Sequence, residues 1–133
     1  MKSTIRSDES EAEIVQRITE QAEQHSQDHD RLVDLVADLD IQAEWFTNEF
    51  DSETTRYRLD SMALVCLYKF ARGMSFTDVV DFLATTGEES QFGLPTVPTQ
   101  QSFHYAWRNR FDSTDRSVIR KAALRVRFAH EFH

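Results

Sequence analysis

From Val15 onward the apolar positions of the chain recur at alternating steps of three and four, through Val15, Ile18, Ala22, His25, His29, Leu32, Val36 and Leu39. That spacing lays one stripe along a helix, with the 3.5-residue average of a coiled-coil seam. Glu, Gln, Asp and Arg occupy the other faces. Ser10 and Glu13 have the spacing of a capping box with Ser10 as N-cap. The pattern therefore predicts one long amphipathic helix, or two abutting ones, ending near Leu39. Its apolar members Val15, Ile18, Ala22, Leu32, Val36 and Leu39 are candidate oligomerisation residues, with the polar pair His25 and His29 at the centre. Ile41, Trp45 and Phe46 mark a further helical face, and residues 51–55 read as a polar linker. Two regions follow: an acidic amphipathic segment over 1–50, a possible coiled coil, and a second domain over 51–133.

The second region has sharper punctuation. Asp60 can cap a helix over 61–72 that is apolar on nearly every side, and Gly73 stops it. Ser75 caps the next helix, 76–85, with Asp78 in the capping-box position and Phe76, Val79, Val80 and Leu83 facing inward. Gly87 ends it. Pro95 and Pro98 disfavour helix in the residues before them. Thr99 then opens a third helix, 100–111, and residues 112–115 close it and begin a fourth, reaching about residue 132. With 3 glycines and 2 prolines the chain lacks the turns of a β-rich fold. The expected class is all-α: a helix-turn-helix-like bundle of about four short helices preceded by a long amphipathic N-terminal helix.

Charge changes the picture. The net charge of -8 argues against nucleic acid, yet residues 1–60 hold 16 acids and 6 bases while residues 101–133 hold 3 acids and 7 arginines and lysines. Only Lys2, Lys69 and Lys121 are lysine; many acids with few lysines suit a halophile's cytoplasm. The lone Cys66, inside an apolar run, excludes a disulfide framework and reads as a small core residue. The polar first ten residues and the lack of any apolar run near ~20 residues imply a cytoplasmic protein without a membrane span. His25 and His29, with Asp28 nearby, have the spacing of two metal ligands, but no further ligand accompanies them. They fit a packed helix interface better, or a seam weakened in a pH-dependent way. No cofactor is indicated. The acids lie scattered on helical surfaces, with no strand-helix alternation to gather three carboxylates around metal ions, so the chain is not read as an enzyme.

The third helix carries the candidate chemistry. Phe103, Trp107 and Phe111 share its inner face. The opposite arc presents Gln101, His104, Tyr105, Arg108 and Asn109, suited to base edges and phosphates: Gln pairs with adenine and Arg with guanine. Thr99 and the helix N-terminus suit a phosphate, and Arg116, Arg120 and Arg127 on the fourth helix suit the DNA backbone. The connection before the third helix is longer than a standard helix-turn-helix turn. The fourth helix has two apolar faces. One is Val118, Ile119, Ala122, Val126 and Ala129. The other, Leu124, Phe128 and Phe132, is expected to dock onto further chain or a partner.

The runs Tyr57-Arg-Leu-Asp-Ser-Met-Ala-Leu64, Tyr68-Lys-Phe-Ala-Arg-Gly-Met-Ser-Phe-Thr-Asp-Val-Val-Asp-Phe-Leu83, Leu94-Pro95 and Thr99-Gln-Gln-Ser-Phe-His-Tyr-Ala-Trp107 resemble the N-terminal region of haloarchaeal insertion-sequence transposases of the DDE type. The hallmark is Ala71-Arg-Gly-Met-Ser-Phe76 between two helices, and the resemblance covers about residues 57–132. It implies recognition of the element's ends in double-stranded DNA. Strand cleavage and joining would belong to a downstream ribonuclease-H-like catalytic domain, missing here. The expectation is thus a DNA-binding module that forms a homo-oligomer. The rival readings are a helical protein-interaction or oligomerisation protein without DNA binding, and a stand-alone DNA-binding regulator.

Overall fold

A helix that is apolar on nearly every side needs walls on every side, and this requirement organises the chain around α3 (Leu59–Arg72). The computed structural model describes residues 8–46 and 57–132, and these are all-helical. The order is α1 (Asp8–His25), α2 (Leu32–Ala37), α3, α4 (Phe76–Thr86), α5 (Gln100–Tyr105) and α6 (Ser113–Phe132). Short 3-10 turns lie at Ser26–Asp28, Ala43–Trp45 and Glu88–Phe92. No helix among the described residues is long and apolar enough to cross a membrane.

Met62, Ala63, Val65, Cys66, Leu67 and Tyr68 of α3 are all buried. The α6 helix packs along α3 and buries Val118, Ile119, Ala122, Ala123 and Val126. On its other flank α6 meets α1, which contributes Ile14, Ile18 and Ala22. Val33, Leu35 and Val36 of α2 fit against α3 and α6. Phe82 and Phe92 close over the Tyr68 ring at centroid distances of 5.4 and 6.0 Å. All of this forms one continuous core. Burial pushes the Cys66 thiol up to about 12, so it remains a neutral packing group.

Local signals set the helix ends. Ser75 accepts a hydrogen bond from the Asp78 amide while the Asp78 carboxylate accepts one from the Ser75 amide, completing the capping box. Gly73 terminates α3 in the left-handed region (φ 72°), where a Cβ would be strained. At the other end α3 starts at Leu59, ahead of the expected cap Asp60. The Asp60 carboxylate accepts from the Ser61 amide and pairs with Arg58 at 3.0 Å; that guanidinium holds its pKa below the usual carboxylate range.

The front of the chain departs from a continuous seam. The α1 helix starts at Asp8, so Ser10 lies inside it, and it ends at His25. A 3-10 turn follows, and His29 is extended (φ -134°, ψ 124°). His25 and His29 therefore do not share a helix face. His25 sits 3.5 Å from Asp28, and His29 sits 3.1 Å from Asp38. The expected seam residues Ile18, Ala22, Val36 and Leu39 are buried in the chain's own core, and Val15 and Leu32 are half-buried beside it. The acidic segment is thus not a separate coiled coil: α6 offers α1 an apolar face in the same chain, so the stripe is covered without a second molecule. The expected boundary at residues 51–55 lies outside the described residues. The last helix, at 20 residues, is long rather than short.

Ile18→Ala tests this arrangement. It should cost about 2–4 kcal/mol, read as the same shift in urea midpoint at low and high protein concentration. A stripe that worked only between chains would give a loss that varies with concentration.

Candidate nucleic-acid interface

Placement of α5 begins with Thr99, whose hydroxyl oxygen accepts from the Ser102 amide at 3.0 Å. Phe103 then buries and stacks on Phe76, at the start of α4, with ring centroids 5.8 Å apart. Beyond Tyr105 the helix widens into a π-turn over Ala106–Arg110 rather than running regularly to residue 111. Phe111 is extended and buried, with its ring edge-on to Phe46 at 5.5 Å. The carbonyls freed at this widened end are taken up by Arg116, which reaches back from α6. Its Nη1 donates to the carbonyl oxygens of Trp107 at 3.1 Å, Arg108 at 3.4 Å and Phe111. Arg116, half-buried, is therefore engaged through Nη1 in holding the turn.

Gln101, His104, Tyr105, Arg108 and Asn109 are all exposed. Tyr105 is 64% exposed, unusual for a large aromatic side chain with an apolar body. Asn109 donates from Nδ2 to the Tyr105 carbonyl at 3.1 Å, which orients its amide. Thr99 is exposed, though its hydroxyl is occupied by the cap.

A row of cations and rings links this arc to α3, α4 and α6. The His104 ring meets the Phe76 ring edge-on at 4.8 Å. Lys69 of α3 holds its Nζ 4.6 Å from the Phe76 centroid and 3.8 Å from the Phe70 centroid. Phe70 in turn contacts Trp107 at 5.0 Å, and the Arg120 guanidinium lies 5.8 Å from the Trp107 centroid. The ring faces attract the cations electrostatically and hold them at fixed positions, each contact worth about 0.5–1 kcal/mol at partly exposed sites. Burial lowers the Lys69 pKa from its ordinary value.

Elsewhere three arginines are paired with acids: Arg17 with Glu13, Arg31 with Asp34 and Glu88, Arg58 with Asp60. Arg127 pairs with Glu131 at 3.2 Å and lines a separate groove with Arg72 and His130. It is not brought to the α5 face, although it shares an arc of α6 with Arg120. Among the described residues, Lys69, Arg108 and Arg120 form no ion pair with one another's neighbours or with any acid. Lys69 and its rings were not anticipated from sequence. A lone lysine in an apolar helix was the available signal, but only packing shows where it emerges. Among the described residues no three His, Cys, Asp or Glu side chains are placed to hold a metal ion together.

Compared with known protein families, curated proteins and solved structures, the chain matches none of them.

The two arginines of α6 should separate by role. Arg116→Ala should lower stability by about 1.5–3 kcal/mol, the range for hydrogen bonds to a charged group. Arg120→Ala should change it by no more than about 1 kcal/mol. Chemical denaturation of the two variants measures both.

Proposed function

We propose that this protein is a double-stranded DNA-binding module that reads sequence with the exposed arc of α5. The observation that carries the reading is that Lys69 and Arg120, beside the α5 arc, and Arg108 on it pair with no acid among the described residues of a chain with a net charge of -8. A cationic face in an acidic protein orients it on a polyanion, because the acidic faces are repelled and only one approach is attractive. In this reading Gln101, Arg108 and Asn109 meet base edges, while Lys69 and Arg120 meet phosphates. The aromatic contacts keep those two cations in place before binding, which reduces the ordering cost.

The likeness of residues 57–132 to haloarchaeal insertion-sequence transposases supports recognition of an element's ends as the setting. Strand cleavage and joining would then fall to a ribonuclease-H-like catalytic domain. The same α5 face would serve a stand-alone regulator equally well.

Fluorescence anisotropy against a randomised duplex pool, with selection and a KCl series, tests the proposal. Saturable binding that enriches one sequence is expected. Arg108→Ala and Gln101→Ala should each relax preference at a base position by about 1–3 kcal/mol. Lys69→Met and Arg120→Ala should weaken binding evenly across sequences and reduce the salt slope by about one each. Folded protein that binds no duplex at any salt concentration would leave the protein-interaction reading in place of this one.

A further inference from the structure

Phe103, wholly buried, fixes which side of α5 faces the core, and Ala106, 2% exposed, agrees with that direction. At about 100° per residue, Tyr105 stands roughly 200° around the helix from Phe103, and Gln101 roughly 160°. These two side chains therefore flank the crest of α5, opposite its buried side. Both lie within the regular helix Gln100–Tyr105, ahead of the widened turn, so the angular count holds for them. Tyr105 is 64% exposed. Among the described residues its hydroxyl has no hydrogen bond and its ring no stacking contact; only its backbone carbonyl is engaged, by Asn109.

The crest of a helix laid in the major groove meets the floor of the groove, where the base edges lie, while its flanks meet the phosphates at the rims. The cations follow that division. Lys69 and Arg120 rest on Phe76 and Trp107, rings beside the arc rather than on its crest. A phenol ring on the crest has a different requirement. Its faces are apolar, and the groove floor offers one apolar group, the C5-methyl of thymine. Against any other base edge the ring would strip water from hydrogen-bonding groups without replacing it.

We propose that Tyr105 is a specificity-determining residue whose ring reads the C5-methyl group of a thymine. The proposal rests on the reading of α5 as the DNA-contacting helix. It assigns the ring rather than the hydroxyl, because a crest position is remote from the phosphates to which a tyrosine hydroxyl donates. It also sets a distance. Gln101 and Tyr105 are separated by about 6 Å along the helix axis, at 1.5 Å per residue, which is less than two base-pair steps of about 3.4 Å. The thymine therefore lies within about two base pairs of the pair that Gln101 contacts.

The probe is the duplex enriched by selection, with each thymine replaced in turn by deoxyuridine, which lacks only the methyl group. Wild-type protein should lose affinity about fourfold at one position, the equivalent of one buried methyl group. That position should fall within about two base pairs of the one whose preference relaxes in Gln101→Ala. Tyr105→Phe should show the same loss. Tyr105→Ala, with an unchanged helical spectrum, should bind the thymine and deoxyuridine duplexes alike. Three results would overturn the methyl reading while leaving the DNA-binding proposal in place: selective binding indifferent to every deoxyuridine, a Tyr105→Ala variant that still distinguishes the two duplexes, or a Tyr105→Phe variant weakened evenly across sequences. Folded protein that binds no duplex would overturn both.

Discussion

Everything in this fold depends on covering α3. Ten of its residues, Leu59, Ser61, Met62, Ala63, Leu64, Val65, Cys66, Leu67, Tyr68 and Ala71, are buried, so no single neighbour suffices. The apolar faces of α2 and α6 and the turn at Glu88–Phe92 each supply part of the enclosure, and α1 covers the far side of α6. Hydrophobic burial, at about 25 cal/mol per Å², drives this enclosure and is proportional to area rather than to direction. The directions come from the helix ends: Gly73 and the Ser75 capping box turn the chain sharply from α3 into α4.

That enclosure also fixes where polar chemistry emerges. Lys69 and Phe70 are the half-buried positions near the end of α3, where the wall around it opens. Phe76, Phe103 and Trp107 fill the opening, and their rings become the surface on which Lys69, His104 and Arg120 rest. Arg116 contributes in another way, by closing the widened end of α5 from the neighbouring helix. The geometry of the α5 arc therefore depends on α6, although no α6 residue belongs to the arc. Lys69 and Arg120 are held in this manner, because each lies over a ring that also packs against the core.

The acidic excess of the chain is distributed with the same logic. On the α1, α2 and α3 termini, carboxylates and guanidinium groups cancel locally, as with Arg31 between Asp34 and Glu88 at 2.9 and 2.7 Å. Exposed pairs of this kind add little stability, but they remove positive charge from those surfaces. Among the described residues, the arginines and lysines without an acidic partner lie in α6, the turn after α5 and the end of α3.

The helical class was legible from sequence, as were the ends of α4, because capping residues and positive-φ glycines act within one turn. So was the inner face of α6, since helical periodicity alone aligns Val118, Ile119, Ala122 and Val126. The exposure of Leu124, Phe128 and Phe132 followed from the same periodicity: one helix cannot bury two opposite stripes against one core. The front stripe was legible as a stripe but not in its partner. A 3.5-residue repeat specifies an apolar seam, whereas what covers it depends on which other faces the chain brings within reach. Here α6 lies against α1, and the break at His25 lets α2 turn against α3. Likewise Arg116 and Arg120 share an arc and a chemistry in the sequence. Only the tertiary fold, by ending α5 beside one and placing Trp107 beside the other, made the first a backbone clamp and left the second facing outward. Local rules determine elements because they act over three or four residues. Roles are decided by contacts between residues far apart in sequence, which those rules do not contain.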